Sequence, residues 1–347
     1  MVCSSESGPG EVLAEAGGGR RDAGVVSGTI LSAGDADMTS SVIGVVVALF
    51  AALLVFLLVA ERGRLIRPST IAFARTGGWR KTFSLTGLHG YVYGRWVRQY
   101  IGALFKFAFP RAKSTGGKWL SDHYHGKVLT PEHARSIITL DQSIPLRDLE
   151  QIVPYPVARN LVLQAPVDVV ALDCPCRANR PEPCEPSRVC LVIGKPFTDF
   201  MLEHHPNSTQ RLTRQEALEL LEAEHERGHV QSAWFKDALL DRFYAICNCC
   251  KCCCGGIHGV TGYGVPMMAS SGFVARSDEA LCTACAACAD VCPFDAVEVN
   301  GRANIKWDAC MGCGVCVSRC PNEAMTLERD ERKGVPLDVR LFASGPA

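Results

Sequence analysis

One long apolar run stands out among the hydrophobic and polar positions along the chain. It extends from Val42 to Ala60 without a charged residue. A helix rises about 1.5 Å per residue, so this run is close to the ~30 Å of a bilayer's hydrocarbon. A buried core helix and a cleaved signal sequence are the alternatives, but the charged segment 61–64 follows where a signal cleavage site would have small residues. We therefore expect a transmembrane helix over residues 38–60.

The pattern beyond the apolar run predicts a mixed α/β region. Thr130-Pro131-Glu132 and residues 145–160 predict two short helices, and the β-branched segment Val167–Leu172 predicts a strand. Thr213 and Glu216 form a capping box before an amphipathic segment, which predicts a helix that ends near Gly228. Gly255-Gly256 and Gly262-Tyr263-Gly264 predict turns rather than phosphate-binding loops.

The residues before and after the apolar run differ in charge. Residues 1–37 are rich in Gly, Ala, Ser and Asp and predict a disordered leader, with Met38 as a candidate start. From Glu61 to Lys118 there are twelve Lys or Arg residues and one acid. Basic residues next to a membrane helix stay on the cytoplasmic side. The sequence thus predicts a single-pass protein of the cell membrane with cytoplasmic C-terminal domains.

The basic stretch 61–118 is also aromatic, with Trp96, Tyr100 and Phe107 near helical spacing. It is too charged to span a bilayer, and we expect it either in the headgroup region or packed on the soluble domain. Its position beside the predicted membrane helix argues against nucleic acid as a partner.

Cysteine usage changes this picture. The chain has nineteen cysteines, and all except Cys3 lie between Cys174 and Cys320. Disulfide frameworks are rare in the cytoplasm, so dense cysteines on that side indicate metal or redox ligands. Cys3 has no neighbour that suggests a role, and we expect a free thiol.

Eight of these cysteines form an internal repeat. Residues 282–293 and 310–321 both have the pattern C-x2-C-x2-C-x3-C-P, offset by 28 positions. Each iron of a cubane takes one thiolate, and in this spacing the fourth cysteine faces the partner cluster. Paired zinc sites do not use this pattern. The predicted ligands are Cys282, Cys285, Cys288 and Cys320 for cluster I, and Cys310, Cys313, Cys316 and Cys292 for cluster II.

On these motifs, residues 276–328 resemble a bacterial-type ferredoxin domain with two [4Fe–4S] clusters. The resemblance implies a (βαβ)2 arrangement with pseudo-two-fold symmetry and low-potential one-electron transfer. It covers about a sixth of the chain, and the rest resembles only uncharacterised iron–sulfur proteins.

Ten further cysteines lie upstream in two groups. No packing requirement explains their density, since cysteine is only a small hydrophobe. They are candidate ligands of an additional iron–sulfur cluster, a structural zinc ion or a dithiol/disulfide centre. The candidates are Cys174, Cys176, Cys184, Cys190, Cys247, Cys249, Cys250, Cys252, Cys253 and Cys254.

The whole sequence predicts an α+β protein: a transmembrane helix, a cysteine-rich mixed α/β middle domain, a ferredoxin-like domain and a tail. The expected boundaries are 1–37, 38–60, 61–118, 119–275, 276–328 and 329–347. We expect a membrane-anchored iron–sulfur electron carrier that works with redox protein partners. The alternative is an oxidoreductase whose catalytic middle site is fed by the ferredoxin domain; no residue is singled out as catalytic.

Overall fold

The computed structural model describes residues 33–76, 78–82, 84–112, 117–148, 160–239 and 242–343. A π-helical turn over Leu104–Ala108 joins two of the short helices. The helices are α1 (Ala33–Ala60), α2 (Pro68–Thr76), α3 (Gly78–Thr82), α4 (Leu85–Arg95), α5 (Val97–Ala103), α6 (Phe109–Arg111), α7 (Gly117–His123), α8 (Pro131–Ile138), α9 (Phe197–His204), α10 (Arg214–Glu226), α11 (Gly255–Tyr263), α12 (Ala287–Asp290), α13 (Val315–Ser318) and α14 (Arg340–Ala343).

Strands begin only after the seventh helix. They are β1 (Tyr124–Val128), β2 (Ile144–Asp148), β3 (Asn160–Leu163), β4 (Val169–Asp173), β5 (Arg188–Ile193), β6 (Thr209–Leu212), β7 (Val230–Lys236), β8 (Arg242–Cys249), β9 (Met268–Ala269), β10 (Phe273–Ser277), β11 (Val297–Val299), β12 (Ala303–Ile305) and β13 (Met325–Arg329). The first nine belong to one sheet, and the last four form two small sheets.

The apolar run forms the C-terminal part of α1. The span Ser41–Ala60 has a mean hydropathy of 3.3, and its most apolar window has no buried residue. The predicted helix is confirmed as long and apolar enough to cross a membrane. It begins at Ala33, ahead of the boundary at 38 drawn from composition. Residues 1–32 of the predicted leader lie outside the described residues.

The large sheet has the order β6-β4-β5-β8-β7-β1-β9. Neighbours along this path are antiparallel except β1 and β9. The β2–β3 hairpin joins the sheet through β3, which is parallel to β8. Since β4, β5 and β8 lie side by side, the cysteines at their ends are brought close together although they are distant in sequence.

Side chains alternate between the two faces of this sheet, as the two-residue period of a strand requires. Ala171, Leu191 and Ile246 pack in a core with α8 and α10. Their neighbours Leu172 and Ala245 point to the opposite face, where α4, α5 and α9 cover them. Six of the ten cysteines of the middle region lie on this second face: Cys174, Cys176, Cys190, Cys247, Cys249 and Cys254.

The basic and aromatic stretch packs against the sheet. Tyr93, Val97, Ile101 and Phe109 are buried in the core of the second face. The described part of this stretch therefore takes the second of the two expected placements, although Trp119 and several apolar side chains on α4 and the π-helical turn remain exposed.

Several local predictions are confirmed. The capping box of Thr213 and Glu216 begins α10, and Gly228 follows its end with φ +83°. Thr130 caps α8 through a hydrogen bond from the His133 N–H. The strand expected over Val167–Leu172 is β4.

Two local predictions are wrong within the described residues. Residues 145–148 of the expected helix 145–160 belong to β2, because Ile144 and Asp148 pair with β3; residues 149–159 lie outside the described part. Gly255-Gly256 begins α11 rather than forming a turn. A Cβ on Gly256 would collide with the Trp234 ring at 2.6 Å, so glycine allows this helix to approach the sheet.

The C-terminal elements follow the order β10-α12-β11-β12-α13-β13. β10 pairs with β13 and β11 pairs with β12, both antiparallel. Leu337 and Val339, in the predicted tail, are fully buried in the first face's core.

Candidate metal centres

The eight repeat cysteines line two separate cavities. Cys282, Cys285, Cys288 and Cys320 line one cavity of about 310 Å³. Cys310, Cys313, Cys316 and Cys292 line the other, of about 340 Å³. In each cavity two cysteines come from one loop, the third lies on the short helix that follows it (Cys288 on α12, Cys316 on α13), and the fourth follows the end of the other repeat's short helix. The structure thus brings together the same two sets of four that the spacing predicts.

Backbone N–H groups donate hydrogen bonds to the cysteine sulfurs in a pattern that repeats with the 28-residue offset. Ala303 N–H donates to Cys282 Sγ at 3.4 Å, and Ala275 N–H to Cys310 Sγ at 3.5 Å. The fourth cysteines receive equivalent bonds from the residue four positions later. These bonds are Ala296 N–H to Cys292 Sγ at 3.2 Å and Ala324 N–H to Cys320 Sγ at 3.3 Å. Such donors stabilise thiolate sulfur.

The loops between the first cysteines have left-handed backbone at matching positions. Ala284 and Ala286 have φ of +56° and +65°, and Gly312 and Gly314 have φ of +63° and +82°. Non-glycine residues adopt left-handed backbone only under constraint. The positive φ of Ala284 and Ala286 therefore indicates that the path of the loop is set by the group that the loop encloses. Successive N–H groups in such a conformation form a concavity that favours anions.

Residues 275–321 match the family model of the 4Fe-4S dicluster domain. The resemblance stated from the motifs is therefore confirmed for this segment. No curated protein matches the chain. The match to this family model supports iron–sulfur clusters in the dicluster domain.

The cysteine environments of the dicluster domain fit this cofactor. Hydrogen bonds from the Ala303 and Ala284 N–H groups lower the pKa of Cys282. Burial raises the pKa of Cys313 above its ordinary range and that of Cys316 to about 12. Buried thiols of this kind become ligands when a metal cation replaces their protons.

Four of the ten middle cysteines form a compact group: Cys184, Cys250, Cys252 and Cys253. Their Sγ atoms all lie within 4.8 Å of one another. Four sulfurs at about 2.3 Å from one tetrahedral ion lie about 3.8 Å apart, whereas cubane ligands are bound to four different irons and lie farther apart. This four-cysteine group therefore has the dimensions of a single-ion site.

Within the four-cysteine group, Cys184 and Cys252 are joined as a disulfide. Their Cα atoms are 7.6 Å apart. Disulfides bring Cα atoms to about 4.4–6.8 Å, and separations above about 7 Å do not suit them. The Cα separation of Cys184 and Cys252 is therefore larger than a disulfide favours.

The other six middle cysteines are arranged differently. Cys190 lies on β5, while Cys247 and Cys249 lie on β8 at alternate positions and therefore on the same face. Cys174 and Cys176 follow β4, and Cys254 is the N-cap residue of α11. All six line one cavity, which Cys250 and Cys253 of the four-cysteine group also line.

Each of these six thiols interacts with two others, and the contacts close a ring. The order around this six-cysteine ring is Cys174, Cys176, Cys254, Cys249, Cys247 and Cys190. Hydrogen bonds from Cys247 and Cys254 lower the pKa of Cys249 to about 6. The contacts with Cys190 and Cys249, together with burial, raise the pKa of Cys247 well above its ordinary value. Neighbouring thiols thus oppose one another's ionisation unless a cation is present.

A buried arginine lies between the two sets. Arg177 is 1% exposed and forms an ion pair with the equally buried Glu224 at 3.1 Å. Its charge interacts with Cys250 of the four-cysteine group and with Cys174 of the ring. Arg177 directly follows the Cys-Pro-Cys segment, and from the sequence both it and Lys251 are expected to lower the pKa of neighbouring thiols and so favour the ligating thiolate form. A buried cation here offsets part of the negative charge that thiolates would bring.

Lys251 connects the four-cysteine group to the dicluster domain. Its Nζ donates to the Cys292 carbonyl at 3.2 Å and pairs with Asp295 at 2.6 Å. Lys251 lies between Cys250 and Cys252, and Cys292 lines one of the dicluster cavities. One lysine side chain thus spans the space between the two sites.

Proposed function

We propose that the protein is a membrane-anchored iron–sulfur electron-transfer protein whose soluble part faces the cytoplasm. The observation that supports this most directly is that the dicluster domain has two cavities, each lined by four cysteines, and that matching backbone N–H groups donate hydrogen bonds to sulfurs in both. When bound, [4Fe–4S] clusters supply one-electron chemistry at low potential. The proposed ligands are Cys282, Cys285, Cys288 and Cys320 for one cluster, and Cys310, Cys313, Cys316 and Cys292 for the other. A (βαβ)2 arrangement is consistent with the order of the surrounding elements.

The membrane part of the proposal rests on α1 and the basic stretch after it. The exposed apolar span Ser41–Ala60 suits hydrocarbon, and the Lys and Arg residues after Glu61 favour the cytoplasmic leaflet. A basic residue near anionic lipid contributes about 1 kcal/mol, so part of this set is enough to orient the soluble part. The proposed partners are redox proteins, with the membrane itself as the anchoring surface.

The four-cysteine group adds a metal site to this proposal. Its compact sulfurs suit one Zn²⁺ or one iron ion. The site ties the segment before β5 to the segment after β8, and Lys251 ties it to the dicluster domain. We propose a structural role that keeps the two cysteine-rich regions in register.

A second candidate function is an oxidoreductase with its catalytic centre in the middle region. The cavity beside the six-cysteine ring favours it, because its lining is mostly apolar with a few polar groups, as in enzyme pockets.

The test is anaerobic purification from membranes, with quantification of iron, zinc and sulfide and EPR after reduction. The carrier proposal expects at least about eight irons per chain and low-potential signals. A colourless protein loaded with zinc alone would overturn it. A spectrum that shifts when a small molecule is added would favour the oxidoreductase instead.

A further inference from the structure

We propose that the six-cysteine ring is a metal centre separate from the four-cysteine group and that it binds an iron–sulfur cluster. The inference deepens the proposed function, on which it rests, by naming the cofactor of the middle cavity. It divides the ten upstream cysteines into a four-thiolate site and a six-thiolate site.

The ten upstream cysteines fall into two sets that differ in how their sulfurs are arranged. Among the described residues, the four-cysteine group is the one set of three or more such donors found within 4.8 Å of each other. The six ring thiols are spread around a cavity instead, each touching two neighbours. A polynuclear cluster takes one thiolate at each of several irons, which suits donors arranged around a space.

The second support is the charge around the cavity. Arg177 lines it with 1% exposure, and among the described residues its Nε–H has no hydrogen-bond acceptor. An unpaired buried donor is costly, and a sulfur-rich anionic group is a natural acceptor. Helix α11 begins directly after Cys254, and the Ile257 N–H donates to that thiol. The positive end of a helix stabilises thiolate and cluster charge alike.

The third support is the opposite wall of the cavity. Val97, Ile101, Phe105 and Phe109 make it apolar, and they come from the helices that follow α4. Tyr93 and Tyr244 are joined through their hydroxyl groups at 2.7 Å, and Tyr244 donates to Tyr124 at 3.4 Å. The wall opposite the thiols is therefore mostly apolar, and its hydroxyl groups are neutral.

Cluster binding at this ring balances as ligand exchange. Each thiol that becomes a ligand releases one proton to solvent as an iron–sulfur bond forms. The iron and sulfide come from the cell's cluster-assembly supply, as they do for the dicluster domain. No change of oxidation state is required of the cysteines.

The experiment compares four proteins, prepared without oxygen, by native mass spectrometry and metal quantification. They are the wild type, Cys174→Ser with Cys190→Ser and Cys247→Ser, Cys184→Ser with Cys252→Ser, and Cys3→Ser as the matched control. The wild type and the control should contain about twelve or more irons and one further ion at the four-cysteine group. The ring variant should retain about eight irons and the dicluster EPR signals. The Cys184/Cys252 variant should lose only the single ion.

Three results would overturn the inference. The wild type could hold about eight irons only, or the ring variant could keep the full iron content, or the Cys184/Cys252 variant could be the one that loses about four irons. If the ring variant fails to fold, the native mass of the wild type decides alone, because its bound iron and sulfide are weighed directly. Failure of the proposed function is a different outcome: fewer than about eight irons and no low-potential signals in any preparation.

Discussion

The dicluster domain and the middle region gather their cysteines in two different ways. In the dicluster domain three cysteines of each cavity lie on one loop and the start of the short helix after it, and only the fourth comes from the other repeat. In the middle region the thiols come from the ends of β4, β5 and β8, which the sheet brings together. The first arrangement depends on local spacing and the second on long-range folding. Loss of metal should therefore have local effects in one region and global effects in the other.

The largest expected effect tests the local half of this comparison. Changing Cys310, Cys313 and Cys316 to Ala removes three of the four ligands of one cavity, so iron should fall by about four per chain. The protein should still fractionate with membranes, because α1 is untouched. Iron and sulfide quantification against Cys3→Ser measures the change. Unchanged iron content would contradict the ligand assignment.

The next effect tests the long-range half. Cys184 and Cys252 are 68 residues apart in sequence, and a metal bound to both closes that loop. A cross-link of this length contributes about 4 kcal/mol in the chain-entropy description. Cys184→Ser should lower the free energy of unfolding by up to about that amount in anaerobic urea titrations.

A chelator sharpens the same test. It should destabilise the wild type and Cys3→Ser to the level of Cys184→Ser, and it should add little to the Cys184→Ser variant itself. Additive losses from the chelator and the substitution would mean that Cys184 does not bind the metal.

A smaller effect separates the two repeats of the dicluster domain. Gly312→Ala places a Cβ against the Phe273 carbonyl and the Ser271 hydroxyl, at φ +63°. We expect a loss of about 1–3 kcal/mol in stability and weaker cluster retention in that cavity. Ala284→Gly, at the matching position of the first repeat, is the control and should change stability by less than about 1 kcal/mol. Equal effects of the two would argue against the steric explanation.

The smallest effect concerns the connection between the regions. Lys251→Met removes the hydrogen bond to the Cys292 carbonyl and the ion pair with Asp295. The Lys251 side chain is 49% exposed and the Asp295 side chain is 67% exposed. Exposed pairs contribute about 0.2–1 kcal/mol, so stability should change within that range and less at high salt. Urea titrations at two ionic strengths measure it. A loss of several kcal/mol would mean that the two regions are coupled far more strongly than this contact explains.

Local signals predicted part of this structure well. The repeat predicted both sets of four cysteines, since three members of each set lie within seven positions and their spacing alone constrains them. The capping box of Thr213 and Glu216 likewise involves residues three apart. Such signals do not depend on the rest of the fold.

The division of the middle cysteines was not predictable in the same way. Cys250 and Cys249 are adjacent in sequence, yet they belong to different sets because β8 ends between them. Cys184 joins its set from a distant loop. His204 is fully buried beside Thr70 and Glu61, because α2 packs on α9. Each of these outcomes depends on which strands and helices become neighbours.

The loop closed by Cys184 and Cys252 has a consequence for how the protein matures in the cell. Strands β5 to β8 all lie inside that loop. If the proposed ion closes the loop, these strands reach their final arrangement only after the ion has bound. A cell short of that metal would accumulate open, protease-sensitive chains rather than inactive but folded ones. The abundance of the protein would then report the metal supply before any cluster is inserted.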